Sequence, residues 1–112
     1  LRGGDTLERH IATIKNLPLN EKYRLALELC RAVKVLHDNN CRHGDIAPGN
    51  ILVNNSSDGK YHFQLIDFGK AQFENVGDLF SLEIERVLKI LDLMGLDMDE
   101  LNEILVNKQL NW

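Results

Sequence analysis

The sequence predicts an α+β chain that is mainly α-helical, with one small β-hairpin set between two pairs of helices. Three observations carry that expectation. Apolar residues recur at helical spacing before residue 40 and again after residue 77, and two short β-prone runs flank a polar turn between those stretches. With 44% hydrophobic and 27% charged residues among 112, the composition suits one modest core.

Leu7, Ile11 and Ile14 follow Thr6 at helical spacing, so a short amphipathic helix is expected over 6–16, ending before Pro18. A longer helix is expected over 20–39. It carries Tyr23, Leu27, Cys30 and Leu36, with Ala26, Leu29 and Val33 beside them, and so wide an apolar surface implies deep burial. Beyond Cys41 the texture changes. Ile51-Leu52-Val53 and Phe63-Gln64-Leu65-Ile66 flank the polar stretch from Asn54 to Lys60, the pattern of a two-stranded hairpin. Helical periodicity returns over 78–94 through Leu79, Leu82, Val87, Leu88 and Leu91, and after Gly95 a last helix is expected over 99–107.

The net charge of -4, with no cluster of Lys or Arg, gives no attraction for nucleic acid or anionic lipid. No apolar run approaches the roughly 20 residues of a membrane span. The first residues lack the charged-then-apolar design of a signal peptide, so no membrane partner is expected and the chain reads as cytoplasmic. Cys30 and Cys41 have no metal-ligand spacing and read as reduced core thiols. His10, His37 and His62 share no spacing and read as surface or helix-end residues. The opening Leu1-Arg2-Gly3-Gly4, without an initiator Met, reads as the interior of something longer.

Two polar clusters bracket the hairpin: His43-Gly44-Asp45-Ile46-Ala47-Pro48-Gly49-Asn50 before it and Asp67-Phe68-Gly69 after it. Pairing the strands would bring Asp45, Asn50 and Asp67 to one end. Carboxylate and amide oxygens gathered there suit Mg²⁺, a hard cation whose remaining positions go to water or substrate phosphates. A further acid can then orient a nucleophile, as phosphoryl transfer requires. The plain alternative is turn chemistry, since Asp, Asn and Pro-Gly are all common in turns.

On these two motifs, in this order and spacing, the chain resembles the protein kinase superfamily: His43-Gly44-Asp45 with Asn50 is similar to its catalytic loop, and Asp67-Phe68-Gly69 to its metal-binding motif. The resemblance implies a kinase-like C-terminal lobe over residues 1–112, with the hairpin carrying both loops and the N-terminal lobe absent. It implies ATP and Mg²⁺ as cofactors, with Asp45 accepting or orienting the substrate hydroxyl proton and with Asn50 and Asp67 as metal ligands contacting the nucleotide phosphates. Residues 1–4 resemble the end of a kinase hinge. Asp5 then matches the acid that binds ribose, although an Asp before Thr6 also suits a helix start. Leu52 matches the apolar floor beneath adenine, and Asp78 the aspartate that holds the catalytic-loop backbone, with a plain helix cap as its alternative.

The departures are equally specific. Gly44 stands where many protein kinases carry Arg, and Ala47 where serine/threonine kinases carry a Lys that contacts the γ-phosphate. Arg42 and Lys70 are the nearest basic residues, and both sit in places suited to solvent. Only residues 70–77 separate Asp-Phe-Gly from the next helix, with no Ala-Pro-Glu, and no Gly-rich loop or Val-Ala-Ile-Lys strand is present. The resemblance therefore implies a phosphotransferase to a protein Ser/Thr hydroxyl that requires an N-lobe from a parent chain and is inactive in isolation. A small-molecule kinase of the aminoglycoside or choline phosphotransferase type remains an alternative, as does a pseudokinase binding module. Trp112 and the Leu-rich face of 96–110 are expected to pack on the rest of a larger lobe.

Overall fold

Where the chain must leave one helix for the next, its own residues dictate how. A computed structural model describes residues 6–72 and 77–107, with 77–79 and 104–107 described by their backbone alone. Helix α1 runs Leu7–Lys15 and stops at Asn16, two residues before Pro18. The residue before a proline is disfavoured in helical conformation, which puts the break at Leu17. Pro18 then serves as the N-cap of α2, Leu19–Asp38, where its fixed φ suits the entry to a helix.

The end of α2 aims the chain at the functional loop. Asn40 adopts a left-handed conformation at φ 57°, the Cys41 amide donates to the Leu36 carbonyl at 2.8 Å, and the Asn40 amide donates to His37 at 3.0 Å. This is a Schellman closure, and it satisfies carbonyls the helix would otherwise leave open. Helix α3, Gly77–Leu93, ends the same way around Gly95 at φ 81°. Helix α4, Met98–Asn107, starts under Asp97, whose Oδ1 accepts from the amides of Asp99 at 2.8 Å and Glu100 at 3.3 Å.

Between α2 and α3 lie strands β1, Ile51–Asn55, and β2, Tyr61–Leu65, paired antiparallel with Ile51 opposite Leu65 and Asn55 opposite Tyr61. The second strand starts two residues earlier than the sequence suggests. Tyr61, Phe63 and Leu65 share one face and pack against the core, while His62 and Gln64 alternate with them on the other. Single helical turns sit just outside the hairpin at Pro48–Asn50 and Phe68–Lys70. The arrangement is α+β and mainly helical, as the sequence predicts. None of the described helices is long and apolar enough to cross a membrane.

One core joins all the helices to β1. Leu25, Leu29, Cys30 and Val33 of α2 meet Leu7 and Ile14 of α1, Val87 and Leu91 of α3, and Leu101 of α4. Fully burying one such leucine stabilises the fold by roughly 1.5–3 kcal/mol. Burial also raises the Cys30 thiol to about 12 and keeps it protonated. Both cysteines are buried and free, as expected.

Two expectations need correction. Leu82 is half-exposed rather than core, because the buried stripe of α3 runs through Glu83, Val87, Ile90 and Leu91, with Met94 just beyond its end. Leu96 and Leu101 are buried in this chain's own core rather than held out for a larger body, while the Leu105 side chain and Leu110 lie outside the described residues. His37 lies at a helix end, as expected, and is tied to a buried carboxylate, described below. Trp112 lies outside the described residues.

Candidate active site

The loop between α2 and β1 is held from beneath by a single carboxylate. Glu83 of α3 is only 4% exposed. Its Oε1 accepts from the His43 amide at 3.0 Å and its Oε2 from the Gly44 amide at 2.8 Å. His37, whose ring stacks on Phe80, shares a third bond with Oε1 at 2.8 Å. Buried charge persists where it is hydrogen-bonded on every side, and here the donors are the loop itself. Asp78, expected in that role, has its side chain outside the described residues, and it is Glu83 that makes these bonds.

His43 is fully buried and joins the two polar clusters. The Asp45 amide donates to its Nδ1 at 3.1 Å, so that nitrogen is an acceptor and the proton is assigned to Nε2. Nε2 then donates to the Ile66 carbonyl at 2.8 Å, one residue before Asp67. The same ring meets Phe68 edge-on, with centroids 4.7 Å apart. His43 thus grips the chain on both sides of Asp67 while setting the backbone of Asp45.

Asp45 and Asn50 meet directly. Asn50 Nδ2 donates to the Asp45 carbonyl at 2.9 Å and to Asp45 Oδ2 at 3.0 Å. Spending the amide nitrogen this way leaves Oδ1 of Asn50 without a protein donor among the described residues. The Ile66 amide donates to the Asn50 carbonyl at 3.0 Å, extending the hairpin ladder by one rung and delivering Asp67 to the same end. Asp67 is exposed and left-handed, at φ 60° and ψ 70°. A non-glycine residue tolerates that region at some cost, and Asp does so better than most through local bonding. Among the described residues its carboxylate accepts only a long bond from Gly69, at 3.4 Å, so its oxygens are left largely open there.

This donor set fits a hard cation. One open carboxylate and one amide oxygen, with room for phosphate oxygens, is how Mg²⁺ is commonly bound at nucleotide sites. Among the described residues no three His, Cys, Asp or Glu side chains gather as a metal cluster, so the candidate set is Asp67 with Asn50. Leu52 is 4% exposed, opposite Gln64 in the ladder, and bridges to Thr6. It lies on the other face of β1 from Ile51 and Val53, which belong to the core. Asp5 lies outside the described residues.

Two cations lie close to the cluster. Arg42 is tied to Gln72 by a side-chain bond and by a backbone bridge of 2.7 and 2.9 Å. Lys70 is largely exposed, as expected of a residue suited to solvent, yet its Nζ stands 3.7 Å from Asp45 Oδ2. Beside the loop a cleft of about 540 Å³ is lined by Ala47 and Pro48 on one side and by Leu82, Arg86 and Lys89 on the other. Nothing in the sequence analysis singles out Glu83, and His37 reads there only as a surface or helix-end residue. A charged residue at helical spacing from Phe80, Val87 and Ile90 is the signal that could have exposed Glu83.

A model of the protein kinase domain matches residues 1–83. Serine/threonine-protein kinase DCLK3 of Mus musculus is 33% identical over 73 residues, covering 65% of this chain and 9% of the relative. Dual specificity protein kinase madd-3 of Caenorhabditis elegans is 38% identical over 77 residues, covering 54% of this chain and 8% of the relative. The ovarian-specific serine/threonine-protein kinase Lok of Drosophila melanogaster is 36% identical over 73 residues, covering 65% and 15%. The chain spans a small fraction of the length of these relatives. With the matched region taking in both polar clusters and the hairpin between them, the chain belongs to the protein kinase domain family.

Proposed function

We propose that this chain is the catalytic-loop part of an ATP- and Mg²⁺-dependent phosphotransferase that moves the γ-phosphoryl group to a protein Ser/Thr hydroxyl. In this reading the lobe that covers the nucleotide comes from residues outside 1–112. The observation that carries it is the double contact of Asn50 Nδ2 with the Asp45 carbonyl and Oδ2. With Oδ2 so engaged, Asp45 Oδ1 is the oxygen left to meet the acceptor hydroxyl. It takes the hydroxyl proton as the acceptor oxygen bonds to the γ-phosphorus and the bond from that phosphorus to the departing ADP oxygen breaks. Asn50 Oδ1 and Asp67 would hold Mg²⁺, which would neutralise phosphate charge when bound. Leu52 forms the floor beneath adenine, and Asp5 binds ribose.

A small-molecule acceptor is the second reading. It is favoured by the short connection between the turn ending at Lys70 and the helix starting at Gly77, which leaves little chain for a peptide platform. The cleft beside Ala47 and Pro48 would receive either acceptor.

The test is a pair of substitutions in the full-length protein. Asp45→Asn is expected to lower transfer by ~10²–10⁴-fold, the range for a lost general base, while Mg·ATP affinity stays largely intact. Asp67→Ala is expected to weaken Mg·ATP binding itself. A wild-type protein that binds Mg·ATP and transfers nothing would make this a contact module instead.

A further inference from the structure

We propose that Lys70 is the cation that meets the transferred phosphoryl group, and that Gly44 is the residue that lets it do so. The proposal rests on the phosphotransferase reading above. Phosphoryl transfer spreads negative charge over the equatorial oxygens, and a positive group placed where that charge develops lowers the barrier. The loop itself offers only a methyl group at Ala47, and the Arg42 side chain is engaged by Gln72. Lys70 is the cation that the described residues place at the Asp45 carboxylate.

Two features make its position more than a surface coincidence. At 3.7 Å from Asp45 Oδ2 and 72% exposed, the ammonium is near the carboxylate without being committed to it by a hydrogen bond. An exposed pair at that spacing adds little to stability, so holding the fold does not account for it. Beneath it, Gly44 has φ +91°, and a Cβ there would run into the Lys70 carbonyl oxygen, 2.8 Å from its carbonyl carbon and 3.0 Å from its Cβ. The Lys70 backbone therefore packs directly on the loop. Any larger residue at 44 would push it away.

The backbone on either side is fixed. Gly44 is bonded to Glu83, the Ala71 amide donates to the Phe68 carbonyl at 3.0 Å, and Arg42 and Gln72 exchange backbone bonds. A fixed Cα with a free four-carbon stem suits a point charge that follows the phosphoryl group over a short path. Lys70 donates hydrogen bonds to non-bridging oxygens as the group passes from ADP to the acceptor. Lys70 transfers no proton itself, and the acceptor proton still goes to Asp45.

The experiment compares Lys70→Met, Lys70→Arg and a distant control, Lys34→Met, in the full-length protein. It reads phosphate transfer, binding of Mg·tripolyphosphate, and the melting temperature. We expect Lys70→Met to lower transfer by ~10²-fold, as for loss of one charge-stabilising donor, and to weaken tripolyphosphate binding at an unchanged melting temperature. Lys70→Arg should keep most of both, and Lys34→Met all of both. Should Lys70→Met stay within about twofold of wild type in both readouts, or weaken binding no more than Lys34→Met does, the assignment is wrong. If wild type binds tripolyphosphate but transfers nothing, the phosphotransferase reading fails and the binding comparison alone decides Lys70. If wild type binds none, the assignment falls with it.

Discussion

The two ends of the hairpin are each held by a glutamate on a neighbouring helix, yet in very different surroundings. At the site end the support is indirect and buried: Glu83 holds the His43 amide, and His43 holds Ile66 beside Asp67. At the far end Glu28 of α2, still partly exposed, accepts from the Phe63 amide at 3.1 Å and bonds His62 at 2.7 Å. The turn there closes on itself, with the Ser56 amide donating to the Lys60 carbonyl and the Gly59 amide to Ser56, both at 2.9 Å. Water can replace the partners of an exposed glutamate. Its access to the buried His43 amide that Glu83 serves is far poorer, so the same kind of bond matters more where the chemistry is.

The largest expected effect tests that contrast. Glu83→Ala strands two backbone amides and His37 in a buried site, and should cost ~3–5 kcal/mol in a urea unfolding series. The helical base offers an intermediate case. Tyr23 of α2 donates to Glu100 Oε2 of α4 at 2.7 Å, and burial first, with that bond second, raises its phenol to about 12. An ordinary tyrosine ionises near 10, so between pH 10 and 12 the unfolded chain loses a proton that the native one keeps. Stability present below pH 10 should fall across that window by roughly 2 kcal/mol, and Tyr23→Phe should flatten the tyrosine part of the fall. Glu28→Ala should be the mildest, at about 1 kcal/mol, because its carboxylate is partly solvated. A loss equal to that of Glu83→Ala would erase the distinction between the two ends.

Much of this was legible in the sequence, and the limits follow from range. The helices came from periodicity, and their ends from Pro18 and Gly95, because both signals act within a turn or two of themselves. The hairpin is also legible, but Asn54 and Asn55 read as turn although β1 includes them, and Tyr61 and His62 fall in neither run because they lack an apolar run of their own. Asp45, Asn50 and Asp67 were recognisable by motif, and the end of the hairpin to which they come follows from strand pairing. Glu83 was not, since its partners lie some 40 positions away and a helical glutamate ordinarily faces water. Lys70 was noticed and set aside as a solvent residue. Its nearness to Asp45 depends on the Gly44 contact, which only the folded chain reveals.

The most direct measurement of whether the two polar clusters form one nucleotide-phosphate site uses Mn²⁺ in place of Mg²⁺ with ATP, reading paramagnetic broadening of backbone amides in the full-length protein. We expect broadening centred on Asn50, Ile66, Asp67 and Gly69, absent from the turn at Ser56, Gly59 and Lys60, and abolished by Asp67→Ala. Broadening that is uniform over both ends of the hairpin, or that survives Asp67→Ala unchanged, would contradict the site.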